Sequence, residues 1–151
     1  MLLWISCFGF QLYGAPINST LEKRAETACP HVKMILVPCP EKPNCVSSQV
    51  ATISNSIEPF RFKKSNDSIF AMLKNVILNM PNTAIIQSTD HYLHAEFRTR
   101  WLKFTDDFEA VLCETENLIH IRSASRVGFW DLGVNKRRVE AIRSKLKERM
   151  K

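Results

Sequence analysis

The chain has 151 residues, 45% of them hydrophobic and 24% charged, and a formal net charge of +6. That length admits one domain with an appendage and a real buried core, and the balance excludes an intrinsically disordered chain. The charge is no argument for a polyanion-binding surface: residues 135–151 hold eight Lys and Arg against two Glu, and the rest is neutral with 13 basic and 13 acidic residues. One solvated helix face accounts for such a local excess.

Residues 1–16 carry no charge and form an apolar but interrupted stretch, too short for a comfortable membrane span. Gly14 and Ala15 suit a cleavage region, so the stretch reads as a signal segment, although a basic n-region is missing. Trp4-Ile5-Ser6-Cys7 also has the look of a lipoprotein attachment box. The expectation is an exported protein of the periplasm or cell envelope that touches membrane only through this segment. A packed or disordered apolar tail is the alternative.

Residues 17–56 are rich in Pro, Ser, Thr and Asn, show no sustained periodicity, and read as an arm. Cys39 and Cys45 bracket five residues that include two prolines, and in an exported chain a small-ring disulfide is the plain reading. Buried free thiols rank second. Cys29, His31, Cys39 and Cys45 can be written as a zinc set, but they lack the closely spaced cysteine pairs that wrap the ion, so no metal is expected. Cys113 reads as a small core residue.

From residue 57 to 151 the pattern sharpens into a domain. Ile57–Phe62 contains Pro59 and suits an edge strand. Ser65 and Asn66 are good helix N-caps, and Ile69, Phe70, Leu73, Val76, Ile77 and Met80 then mark one helical face that Pro81 ends. Thr83–Thr89 reads as an apolar strand. In Tyr92–Phe104, Leu93, Ala95 and Phe97 alternate with His94, Glu96 and Arg98, and the parity break at Leu102 and Phe104 suggests a bulge near Trp101. Asp106–Cys113 and Leu118–Ser125 complete a meander. A last helix over about 135–150 places Val139, Ile142, Leu146 and Met150 on one stripe. The order β-α-β-β-β-β-α predicts an α+β fold: an antiparallel sheet of about five strands with two amphipathic helices covering one face.

The joint between the last strand and helix carries the densest motif, Ser123-Ala-Ser125-Arg126-Val-Gly128-Phe-Trp-Asp131-Leu-Gly133-Val-Asn135-Lys-Arg137-Arg138. In the structural account Asp131 caps a turn, arginines tie it down, and Gly128, Gly133 and Asn135 shape it. In the ligand account Ser123, Ser125 and Arg126 precede a helix N-terminus that favours negative charge, with Arg137 or Arg138 clamping a carboxylate or phosphate. An open pocket lined by Arg126 favours ligand binding; a filled space beneath the last helix favours an interaction module.

Catalysis has little behind it. Ser47, Ser48, Ser123 and Ser125 are candidate nucleophiles and His91, His94 and His120 candidate bases, but none lies in a nucleophile-elbow, metal-helix or phosphate-loop pattern. Asp106 and Asp107 adjoin and point opposite ways on a strand. Aromatic and basic residues do not interleave on one strand face, so no nucleic-acid partner is expected, and no cofactor is implied.

Two segments resemble the domain-of-unknown-function family 1499. They are Cys39-Pro-Glu-Lys-Pro-Asn-Cys45-Val-Ser-Ser-Gln49 and Arg122–Glu140, and the stretches Tyr92–Arg100 and Phe104–Glu109 between them are also similar. The resemblance spans about residues 37–146. It implies no established reaction, cofactor or substrate, and it supports export because members often carry a signal or lipoprotein sequence. Phe129-Trp130 departs from the smaller or polar residues commoner there. The functional expectation is a domain that binds a small anionic ligand or envelope partner at the Ser/Arg/Gly joint. A structural or protein-interaction module is the alternative, and an uncharacterised hydrolase comes third.

Overall fold

The computed structural model describes residues 36–49, 52–63, 69–99 and 104–151. Six strands form one antiparallel sheet: β1 (Cys45–Ser47), β2 (Phe60–Arg61), β3 (Thr83–Ser88), β4 (Tyr92–Arg98), β5 (Thr105–Cys113) and β6 (Leu118–Ser125). Two helices accompany them, α1 (Ile69–Leu78) between β2 and β3, and α2 (Val134–Arg149) at the end. The expected α+β architecture holds, with one strand more than the sequence suggested.

The extra strand comes from the arm. β1 pairs with residues 122–124 of β6 and β2 with residues 118–119, so the two share one flank of the same strand. β5 covers the other flank of β6 along its whole length, and β4 and β3 follow outward. The meander over β4, β5 and β6 is as the alternation indicated. β4, however, ends at Arg98: the Thr99 N–H donates to the Phe104 carbonyl at 2.9 Å, and the Phe104 N–H donates to Thr99 Oγ1 at 2.9 Å. The chain has turned back by Phe104, which accounts for the parity break there. Trp101 and the bulge expected beside it lie outside the described residues, as do Ser65 and Asn66. A register shift does occur in β3, between Ile85 and Gln87.

Period-2 alternation decides the sheet's two faces. Leu93, Ala95, Phe97, Phe108, Ala110, Ile119 and Ile121 are buried against the helices. α1 contributes Ile69, Phe70, Leu73, Val76 and Ile77, and α2 contributes Val139, Ile142 and Leu146. Phe97 and Phe108 meet edge to face with ring centres 6.2 Å apart. Each such side chain stabilises the fold by about 1.5–3 kcal/mol relative to exposure. The core therefore fixes how β6 is presented to α2.

Two covalent ties involve cysteines at the sheet. Cys39 and Cys45 form a disulfide with their Cα atoms 5.6 Å apart. Cys113, buried at the end of β5, is also disulfide-bonded, so it is more than the small core residue expected.

Candidate functional site

The chain leaves β6 at Ser125 and enters α2 at Val134 through an eight-residue turn. Asp131 organises it. One carboxylate oxygen accepts the Gly133 N–H at 2.8 Å, and the other accepts the Asn135 N–H at 2.8 Å. The free N–H groups at the start of α2 thus already hold a carboxylate from the protein itself. Gly128 and Gly133 take φ values of +93° and +75°, which other residues resist.

Asn135 occupies the first position of the α2 stripe, four residues before Val139, and is fully buried. Its amide nitrogen donates to the Asn44 carbonyl (3.0 Å), Ser125 Oγ (3.0 Å) and Asp131 (2.9 Å). Its Oδ1 accepts from Ser123 Oγ at 2.7 Å and from Arg138 at 2.6 Å. Arg138 also donates to Ser123 Oγ and pairs with Asp106, and its guanidinium lies 4.7 Å above the Phe97 ring centre. The Arg138 and Asp106 side chains are only 8% and 4% exposed. This is a buried polar plug joining β1, β5, β6 and α2.

Arg126 belongs to the opposite sheet face. It makes a two-pronged contact with Asp107 (2.9 and 2.8 Å) and reaches Glu96 at 2.6 Å. His94 meets Asp107 at 2.7 Å, while Arg122 and the Tyr92 hydroxyl donate to Glu109 at 2.8 and 2.9 Å. Burial pushes the Asp107 carboxyl up, but the hydrogen bonds from Arg126 and His94 outweigh it and hold the group below its ordinary 3.8. The Asp107 and Glu96 hydrogen bonds hold the Arg126 guanidinium above its ordinary range, and burial, then Glu109, raises Tyr92. Arg137 is exposed and donates to the Leu132 carbonyl at 2.7 Å.

The five residues expected to hold an anion therefore do not all converge. Ser123, Ser125 and Arg138 enter the buried plug; Arg126 is spent on two carboxylates; Arg137 stays at the surface. Asn44 and Asp106 also belong to the plug; Asn44 was not anticipated, whereas Asp106 was among the acids available to the arginines and shares a face with Phe108, Ala110 and Leu112. The Asn44 amide nitrogen donates to the Gly128 carbonyl at 2.7 Å, so β1 also pins the turn.

Among the candidate catalytic groups, Ser48 Oγ lies 3.3 Å from His120 Nδ1. The same oxygen accepts the Ile121 N–H at 2.8 Å and contacts the Ile121 carbonyl at 3.3 Å, which fixes it as a strand-edge bridge. His120 is buried, and burial lowers its pKa from 6.5. Ser48 is thus tied to the edge of β6 and His120 is packed behind it. Cys39 and Cys45 are spent in their disulfide, Cys29 and His31 lie outside the described residues, and no group of three metal-ligating side chains occurs among the described residues. A groove of about 510 Å³ runs between residues 56–61 and α2, with Phe60, Leu146 and Met150 beside Lys136 and Lys147. None of the five candidate anion-binding residues lines it. No helix of the described residues is long and apolar enough to cross a membrane.

The family model of DUF1499, described as a protein of unknown function, matches residues 35–146. No curated protein matches the chain.

Proposed function

We propose, from the premise that the chain belongs to the DUF1499 family, that it is an exported, envelope-associated, non-catalytic interaction domain docking through the turn between β6 and α2. One observation carries the reading. The turn's one acid, Asp131, points inward onto backbone N–H groups and Arg126 is spent on Asp107 and Glu96, while the apolar residues Val127, Phe129, Trp130 and Leu132 face outward. A small-anion site needs guanidinium donors left free, and here Arg126 and Arg138 are committed to Asp107, Glu96 and Asp106. Asn135, Val139, Ile142 and Leu146 of α2 are buried, and the groove beside that helix is lined by none of the five candidate anion-binding residues. Export is supported by the Cys39–Cys45 bond and the oxidised state of Cys113, because such bonds persist in oxidising compartments.

The test is a photo-crosslinking amino acid placed at Phe129 and, as a control, at exposed Glu114. In envelope preparations the docking reading expects adducts from position 129 alone. Equal labelling from both positions, together with saturable phosphate binding that shifts the Arg126 side-chain resonances, would restore the anion-ligand alternative.

A further inference from the structure

Val127, Phe129, Trp130 and Leu132 are 58%, 68%, 64% and 62% exposed. Four large apolar side chains within six consecutive positions exceed the scattered surface hydrophobics that a monomer ordinarily carries. Phe104, also exposed, leaves the same end of the sheet, since the Arg126 N–H donates to the Thr105 carbonyl at 3.2 Å. The turn is held by defined bonds: Asn44 pins Gly128, Asp131 pins Gly133 and Asn135, and Arg137 pins Leu132. Leu132 is kept at φ +56°, a left-handed conformation that a leucine disfavours. A strained backbone that holds an apolar side chain in water opposes stability twice. Such strain persists where the surroundings impose it, and it concentrates at functional sites.

We infer, resting on the docking reading above, that this turn inserts into the headgroup–acyl boundary of an anionic lipid bilayer. The inserting element is a protruding turn and not a groove, so it suits a soft planar surface. Trp and Phe are the side chains favoured at membrane–water boundaries. Lys136 and Arg137 stand exposed in the first turn of α2 directly behind the apolar tip, where they meet anionic headgroups. Asp131, the turn's one acid, has both oxygens turned onto N–H groups, and Lys136 and Arg137 outnumber its charge two to one. Membrane contact then extends beyond the apolar N-terminal segment to the folded domain itself.

The full chain carrying Trp4→Phe and Trp101→Phe leaves Trp130 as the sole indole, to be mixed with phosphatidylcholine vesicles with and without phosphatidylglycerol. Expected are a blue shift of Trp130 emission, quenching by lipids brominated near the carbonyl end, and stronger binding to the anionic vesicles. In co-sedimentation, F129S/W130S weakens partition by at least about tenfold, and K136E/R137E abolishes the anionic preference. Every variant keeps the N-terminal segment, so the differences report the turn alone. Unshifted, unquenched Trp130 emission together with wild-type partition of F129S/W130S overturns the bilayer inference. If a crosslinker at Phe129 then captures one discrete protein, the docking reading survives with a protein in the bilayer's place; if it captures nothing, both readings fall.

Discussion

Replacing Asp106 by Ala leaves the Arg138 guanidinium buried with one prong unpaired, and replacing Arg138 by Met leaves the Asp106 carboxylate in the same position. Both side chains are less than a tenth exposed, so water cannot take over the lost partner. Removing one member of a buried ion pair costs about 3–5 kcal/mol. The lower figure applies to Asp106→Ala, because Arg138 keeps Ser123, Asn135 and the Phe97 ring. In the double variant no charge is buried, and Ser123 still donates to Asn135 at 2.7 Å. The double variant is therefore expected to cost no more than either single one, with a coupling of at least about 3 kcal/mol between the two sites. Urea unfolding followed by far-UV circular dichroism measures this, with unchanged m values as the check that all variants unfold from the same compact state. For a folded portion of this size each kcal/mol shifts Tm by about 4 °C, so Asp106→Ala melts about 12 °C lower and Arg138→Met lower still. Additive losses, with coupling below about 0.5 kcal/mol, would show that the pair is solvated and that the plug does not join β5 to α2.

Three further outcomes follow from other parts of the fold. Burial holds His120 below its ordinary 6.5, so the unfolded chain takes up the proton first; stability is full above that pH and falls as the pH drops toward the folded-state value. His120→Gln should flatten the change in urea midpoint between pH 7.5 and 5.5, and a profile parallel to the wild type would refute the assignment. Substituting both Cys39 and Cys45 by Ala removes a bond that spans a sequence separation of 6; the short loop limits the loss to about 2 kcal/mol, read from denaturant melts under oxidising conditions. Leu132→Asn relieves the left-handed strain at φ +56°, so it should stabilise the fold by about 1 kcal/mol while weakening vesicle partition. A loss of stability there would mean that Leu132 contributes packing that its exposure does not reveal.

Long periodic segments were legible because their pattern and their burial have one cause. The faces of α1 and α2, and the alternation of β4 and β5, follow from the spacing of apolar residues alone. β1 was not legible: three residues beside prolines carry no period, and their extended state is imposed by β6, more than 70 positions away. The joint before α2 stood out as unusual, but its internal wiring did not. Which arginine meets which carboxylate depends on strand register, as when Glu109 and Arg122 come opposite each other on β5 and β6. The turn also inverts ordinary expectation, with four apolar side chains in water and its one acid turned inward, so residue type alone points the wrong way there.

The divided flank of β6 sets an order of assembly. Strands of two and three residues have no stability of their own, so β1 and β2 must wait until residues 118–125 have been synthesised and paired with β5. The ring closed by Cys39 and Cys45 waits for nothing, because both sulfurs lie in one short stretch made early. Oxidation can precede folding, and the preformed ring then seats last. The seam along the β1 and β2 flank of β6 is thus the final one to close.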